Sequence, residues 1–416
     1  MKIFSLLLII LFFCETIIGQ ELIADKNIHT LMCHKKGWPL SYPVIQLNSN
    51  EKIVCCFDDF SPFQRDFYYV LRHCDKTWNS SNISYNEYAK GFEINRIYNV
   101  TSSINTTYAF YHYTLEIPND DVEILYSGNY LLCVYGNSEL SDLIFTKKIY
   151  VCEQSARIDA NIKRPVIPTF ADSHQEIEFT VFTDGLPVIN PAEDITAIIS
   201  QNNRWDNSRM LKARFADRKK LIFDYDEKLL FPGLNEFRFF NIRDLKSPFE
   251  NVYSINYRPP YYYVSLKQEK DKTFSRYTAE KDINGKFYIQ SVFKEQDMLR
   301  ADYVHVTFSL ASDIPVIEGN VCILGALTNW QCTPASYMEY DFENKMYQTS
   351  LLLKQGYYNY LYAVKNSKTQ EIDASFFEGS HALTENDYLI FIYLSGTMQK
   401  YDRLVAFDVA NIRKNN

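Results

Sequence analysis

The sequence predicts an all-β fold of three tandem immunoglobulin-like β-sandwich domains, on the strength of a hydrophobic period of two, an aromatic-rich and glycine-poor composition, and a length of 416 residues. A period of two sends successive side chains to opposite faces of a strand, so one face can be buried while the other stays wet. Ile177, Phe179 and Val181 alternate with Glu178 and Thr180, and Val304, Val306, Phe308 and Leu310 alternate with Tyr303, His305, Thr307 and Ser309. The 32 Tyr and 29 Phe against 13 Gly favour half-buried strands, where rings pack well on a pleated surface. At roughly 100–150 residues per domain, this length corresponds to about three domains.

In chain order, Lys2 followed by the apolar run Ile3 to Phe13 reads as a signal peptide over residues 1–19, cleaved after Gly19. The run is too short to span a bilayer. Cys14 follows Phe13, where a lipidation signal wants a small residue. No later stretch is apolar enough for a membrane helix, so an exported mature chain is expected. The first domain is assigned to 20–156 and holds the strand Asn129 to Gly136, closed by the turn Gly136-Asn137-Ser138. Arg164-Pro165 and Ile167-Pro168 mark the break into a middle domain, 157–260. There, Ala192 to Ser200 fits helix and strand equally well. Arg258-Pro259-Pro260 marks a second break, into a third domain at 261–416. In that domain Lys267 to Asn284 is charged and reads as an exposed loop. Tyr347 to Lys354 and Tyr357 to Val364 form a hairpin about Gln355-Gly356, where Gly supplies the positive φ that tight hairpins need. Tyr388 to Ser395 is a further strand.

Composition and motifs exclude several functions. A net charge of −8 without a basic stripe argues against nucleic acid, and its sign is wrong for an anionic membrane surface. The strands are too short, and too often charged on both faces, for an outer-membrane barrel. There is no nucleophile elbow, phosphate-binding loop, dinucleotide fingerprint or zinc-protease motif, so no enzyme, small-molecule substrate or cofactor is expected. Two groupings of ligand-type residues, His73-Cys74-Asp75 and His112 between Tyr111 and Tyr113, read as structural hydrogen-bonding groups and not as a metal site or a base. Eight cysteines follow the signal peptide without any Cys-x-x-Cys spacing. Cys322 and Cys332 bracket a tight segment and are open to either a disulfide or two buried thiols. The sequons at Asn79, Asn82, Asn99 and Asn105 are read as chance recurrence.

The strand Val321 to Leu324 runs into a turn ending at Trp330, ahead of the hairpin. That order resembles the early-set immunoglobulin-like modules of glycogen-binding and starch-branching proteins, in which an exposed Trp stacks on sugar. The loop Lys365 to Gln370 lacks the second aromatic of such a platform, so Trp330 is expected to pack or to anchor a protein partner. A longer set of blocks, met in one order, covers most of the mature chain. It comprises His73-Cys74-Asp75 with Trp78, Glu87-Tyr88 with Gly91-Phe92, Tyr111-His112-Tyr113, Ile117-Pro118-Asn119 and Ser127-Gly128-Asn129-Tyr130. It continues with Asp302-Tyr303-Val304, Gly325 to Trp330, Leu353 to Tyr360, Glu378-Gly379-Ser380-His381 and Thr384 to Tyr388. This ordered set resembles the plug proteins of the type IX secretion system. The resemblance implies a non-enzymatic periplasmic subunit, associated with the outer membrane through its partner. It would dock on a large outer-membrane β-barrel translocon subunit and close its periplasmic mouth. Trp78, Trp330, Tyr357 and Tyr358 are the candidate partner-binding residues. The competing expectation is a carbohydrate-binding sandwich protein of an outer-surface glycan system.

Overall fold

The computed structural model describes residues 21–293, 295–396 and 399–412; the expected signal peptide at 1–19 lies outside them. The described chain is all-β. Its three α-helices, Tyr85–Tyr88, Pro191–Asp194 and Asp297–Arg300, are each a single turn.

Of the seven sheets among the described residues, six pack in pairs around three hydrophobic cores, and the seventh is the short pair Ala89–Gly91 with Val122–Ile124. In the first unit an outer sheet of Ile28–Lys35, Ile53–Asp59, Tyr111–Ile117 and Val100–Ser102 faces an inner one built on Leu143–Cys152, Gly128–Tyr135 and Tyr68–Cys74. Phe57, Tyr113, Tyr130, Leu132 and Ile149 meet between them. In the middle unit an outer sheet built on Arg157–Lys163, His174–Phe182 and Lys220–Phe223 faces an inner sheet of Arg209–Leu211, Ile195–Gln201, Tyr388–Leu394 and Arg403–Ala410. In the third unit the alternation at 303–311 does what it predicts. Val304, Val306, Phe308 and Leu310 point inward against Phe240, Tyr358, Tyr360 and Tyr362 from the facing sheet. Burying each such side chain contributes about 1.5–3 kcal/mol relative to leaving it in water.

Two features of the topology depart from the expected divisions. The last two strands do not lie in the third unit: Tyr388–Leu394 pairs along its whole length with Ile195–Gln201 of the middle one. The third unit is therefore an insertion, with its first strand at Arg238–Asn241 and its last at Ile372–Asp373. The break expected at 260 is a turn inside that unit, joining the paired strands Val252–Arg258 and Tyr261–Leu266. Two prolines suit a hairpin turn, where no ladder N–H is required, as well as they suit a linker. The passage from first to middle unit lies between Cys152 and Arg157.

The ambiguous stretch 192–200 resolves into the helical turn Pro191–Asp194 and the strand Ile195–Gln201, every residue of which is buried. Ile195, Ala197 and Ile199 face the middle core, while Ile198 faces a second apolar layer shared with the first unit. A strand buried on both faces shows no alternation, which is why its period is unreadable. That second layer joins Val70, Leu131, Cys133 and Tyr150 of the first unit to Leu389, Phe391 and Tyr393 of the middle one. The first and middle units thus stack four sheets deep, with no solvated face between them.

Candidate partner-binding site

The four candidate residues fall into two classes. Trp78 is 3% exposed. It sits at φ 72° in a turn shaped by the Asp75 carboxylate, which accepts the N–H groups of Thr77 (2.8 Å) and Asn79 (2.9 Å). Its ring lies edge-on to Tyr150 (5.2 Å between centroids) and Trp205 (5.6 Å) in the seam between the first and middle units. Tyr358 is 2% exposed and stacked between Phe240 and Phe287, each 5.1 Å away. Neither ring faces solvent, so both serve packing in this conformation. Trp330 and Tyr357 are half-buried. Trp330 leans edge-on against Phe237 (5.9 Å) and covers Gly285, where a Cβ would come within 2.2 Å of the indole. The Cys322–Cys332 disulfide closes the turn that carries it. Tyr357 is the centre of a half-exposed ladder on the outer sheet face, stacked at 5.6 Å on both Phe239 and Tyr288.

The two histidine groupings are engaged in structural contacts. His73 is buried, with Nδ1 2.8 Å from Ser81 Oγ and Nε2 3.0 Å from the Ser127 carbonyl. Burial pushes its pKa down. His112 Nδ1 lies 2.7 Å from Asp58 Oδ1. Among the described residues no group of three or more His, Cys, Asp or Glu could hold a metal ion. No helix among them is long and apolar enough to cross a membrane.

What the structure adds is two polar seams. Between first and third units the fully buried Lys354 ammonium donates to Asp58 Oδ2 at 2.5 Å, and the Tyr303 hydroxyl donates to the same oxygen at 2.6 Å. Asp302 accepts the Thr107 N–H at 3.0 Å beside them. Where the chain crosses between middle and third units, Gln175 donates to the carbonyls of Ala382 (2.9 Å) and Thr384 (2.6 Å), and Asn386 donates to that of Gly233 (2.7 Å). The buried Glu236 lies at this crossing. One of its carboxyl oxygens accepts Tyr277 O–H (2.5 Å) and Glu385 N–H (3.2 Å); the other, also buried, has no partner among the described residues.

Burial, reinforced by Asp282 and opposed by the Tyr277 hydroxyl, pushes the Glu236 pKa from 4.5 up to about 7. A carboxyl whose folded pKa is raised costs stability as pH climbs from the unfolded to the folded value, because the folded state keeps a proton that the unfolded chain has released. Glu236→Gln removes that cost. The variant should match the wild type near pH 4.5 and exceed it by about 1–2 kcal/mol above pH 7, a figure already reduced for solvent screening. Urea midpoints at pH 5 and pH 8 measure the difference; equal differences at both values would rule out the titration.

Two exposed aromatic features were missed at the level of sequence. The edge strand Val252–Arg258 presents Tyr253 (75% exposed), Tyr257 (54%) and, as its last residue, the exposed Arg258. Tyr257 packs on Tyr262 at 4.7 Å, and Tyr261 stacks on Tyr108 of the first unit at 4.2 Å, which fixes the hairpin against the body. The tyrosine run 261–263 beside Arg258 was the available signal, obscured by reading the prolines as a linker.

Comparison with known proteins places this architecture. The family model described as "Type 9 secretion system plug protein 1st domain" matches residues 28–153, the span of the first sandwich. A solved structure described as a hypothetical protein from Parabacteroides merdae ATCC 43184 superposes with a TM-score of 0.91 at 31% identity, covering 94% of this chain and 98% of its own. The dimeric latent PorU of Porphyromonas gingivalis aligns at 11% identity over 92% of this chain and 34% of its own, with a TM-score of 0.15, and carries no argument. No curated protein matches.

Proposed function

Since this chain belongs to the type 9 secretion system plug protein family, we propose that it docks as a non-enzymatic periplasmic subunit on the large outer-membrane barrel of that system and seals its periplasmic opening. Family membership makes it a component of the secretion machinery in the cell envelope. The observation that carries the finer reading is mechanical. Three sandwiches are fused by a two-sided apolar layer, a buried ion pair and a buried amide network, so the body has few internal hinges. A stopper must resist deformation by what it blocks, and bistable joints would defeat it. Chemistry is not required of it.

The docking surface we assign is the third unit's free edge. Tyr253, Tyr257 and Arg258 lie along one exposed strand, of residue types that dominate interface energetics. The backbone of an edge strand is also open to pairing with a partner strand. The Phe239–Tyr357–Tyr288 ladder supplies a second aromatic face on the same unit.

A strain lacking the protein should admit a large antibiotic such as vancomycin across the outer membrane. Tagged wild-type chain should bring down a very large barrel from detergent-solubilised outer membrane. The pair Tyr257→Ala and Arg258→Ala should reduce that recovery by about tenfold or more, the scale of a hot-spot loss. A deletion strain as tight as its parent would end the sealing role, and undiminished recovery with the double variant would end the assignment of the edge.

A further inference from the structure

All three units contribute walls to one cleft of ≈ 440 Å³. Lys147, Lys148, Lys286 and Lys365 line it, together with Trp205 and Tyr150. Three of these cations are accounted for. Lys147 donates to Glu21 Oε2 at 2.7 Å, Lys286 reaches Asp387 Oδ2 at 3.4 Å, and Lys365 donates to the Cys332 carbonyl at 3.3 Å. Lys148 is different. Only 7% exposed, it places its ammonium 4.6 Å from the centroid of Trp78 and 4.4 Å from that of Trp205. Among the described residues no carboxylate lies within ion-pair distance of its ammonium and no protein acceptor takes the ammonium protons; the nitrogen is not among the fully buried unpartnered atoms, so it opens onto the cleft. Burial pushes its pKa down to about 8.

An ammonium held by two ring faces keeps part of its charge stabilisation through cation–π attraction. It lacks the hydrogen bonds that such a group normally requires. An anion arriving from the cleft would supply them. The molecule itself shows which kind of anion the surface accepts. The short strand Leu22–Ile23 pairs antiparallel with Leu143–Cys152, with Leu22 opposite Thr146. The residue before it, Glu21, lays its carboxylate on Lys147 and on the Lys148 backbone N–H (3.1 Å), and Gln331 grips its carbonyl (2.6 Å). An acidic side chain on an extended backbone is thus already received one residue away from the unmatched cation. The other lining carboxylate, Asp206, is neutralised by Arg204 at 2.5 Å and does not compete.

We propose that this three-unit cleft is a second binding site, one that takes an extended acidic peptide segment of another protein, with a Glu or Asp carboxylate of that segment paired to Lys148. The cleft lies apart from the edge strand assigned to docking and does not depend on that assignment. Lysines on more than one wall of the cleft suit successive carboxylates, since the side chains of an extended segment point alternately to opposite sides. Compact phosphate recognition usually brings arginine forks, and no arginine lines this cleft.

The test uses the full exported chain and a short fluorescein-labelled peptide alternating glutamate with leucine, alongside its twin with glutamine for glutamate, followed by anisotropy at low salt. The acidic peptide should bind saturably and the glutamine twin about tenfold or more weakly, with added salt weakening the former. Lys148→Met should weaken the acidic peptide by about tenfold, while Lys148→Arg, which keeps the charge, should retain most of the binding. Lys90→Met, which alters an exposed lysine paired with Glu123 outside the cleft, should leave it unchanged. Should Lys148→Met unfold the chain, Lys365→Met on another wall of the same cleft should still weaken the peptide. Absence of binding, equal binding of the twins, or full binding by Lys148→Met in a folded chain would each overturn the proposal. Displacement of the peptide by inorganic phosphate at matched charge would reduce the cleft to a small-anion site and overturn it as well.

Discussion

Replacing Lys354 by Met is expected to lower the stability of the chain by about 3–5 kcal/mol, because it strands a carboxylate in a seam that water does not reach. Lys354 ends the strand Met346–Lys354 of the third unit, and Asp58 lies in the strand Ile53–Asp59 of the first, 296 residues away. Both side chains are fully buried. The pair is well satisfied. Asp58 takes Lys354 and Tyr303 on one oxygen and His112 on the other; Lys354 also donates to the Met298 carbonyl at 2.5 Å and sits 4.2 Å over the Phe110 ring. Burial works against ionisation of Asp58, but Lys354 and His112 outweigh it and hold the Asp58 pKa below the usual carboxylate range. Burial likewise lowers the Lys354 pKa against the pull of Asp58. A depressed carboxylate pKa stabilises the folded state above the unfolded value of 3.8, and that contribution is lost as pH falls through the folded value. Asp58→Asn should be costly for the reciprocal reason, leaving a buried ammonium without a counter-charge, beside the Met298 carbonyl and the Phe110 and Tyr303 rings. The combined variant removes both charges, so its loss should fall short of the sum of the singles by about 1–3 kcal/mol, the coupling range for contacting residues. Urea unfolding of the four proteins measures this cycle. Additivity within about 0.5 kcal/mol would mean that the two groups do not act as a pair.

That seam also marks where sequence reasoning stops. Strands with one wet face were legible, because alternation survives in the residues: 303–311 emerges nearly at its observed ends, and so do the two strands flanking Gly356. Those two strands are not the expected hairpin: Met346–Lys354 pairs with Tyr303–Ala311 in one sheet, Gly356–Asn366 pairs with Gly319–Leu324 and Arg238–Asn241 in the facing one, and Gly356 is not among the positive-φ glycines, so the chain crosses between sheets there instead of turning back on itself. The strand Ile195–Gln201 was not legible, since an apolar layer on each side erases the period that distinguishes strand from helix. Its partner Tyr388–Leu394 read as a strand but was placed in the wrong unit. Nothing local records a pairing across almost two hundred residues. Of the four candidate residues, two are buried and two, Trp330 and Tyr357, are half-buried. Trp78 and Tyr358 carry the aromatic signature of an interface anchor, but the interface each fills is internal. The exposed Tyr253 and Tyr257 stand instead on the edge strand Val252–Arg258, and which strand ends up at an edge depends on the fold of the whole unit. The ion pair, the acid at the crossing and the lysine cleft all assemble from segments distant in the chain, so no spacing could announce them.

Arg238→Met should be the other large loss, again about 3–5 kcal/mol, and it should loosen a specific place. Arg238 opens the inserted third unit, in the strand Arg238–Asn241, and Glu378 lies on the segment that leaves it. The Arg238 Nε donates to both Glu378 oxygens at 2.9 and 3.0 Å, and Glu378 in turn accepts the Tyr362 N–H at 2.9 Å. One terminal nitrogen reaches Glu269, and the other donates to the Lys270 carbonyl at 2.8 Å. One guanidinium therefore clasps the entry of the insertion, its exit and the start of the charged loop 267–284. A planar fork with donors on three nitrogens can hold all three partners; a lysine ammonium is a single point of charge and cannot. Arg238→Lys should consequently recover only part of the loss, about 1–3 kcal/mol below wild type. The location of the damage separates a clasp from ordinary core packing. Loop 267–284 holds trypsin sites at Lys267, Lys270, Lys272, Arg276 and Lys281, and in the wild type its first residues are tied down through Glu269 and the Lys270 carbonyl. In Arg238→Met, limited trypsin digestion under native conditions should cut first in this loop and faster than in wild type. The Lys354→Met protein, damaged at the other seam, should not show that preference. If Arg238→Met unfolds within about 1 kcal/mol of wild type, or if its loop is cut no faster, the insertion is held by its apolar core and the clasp contributes little.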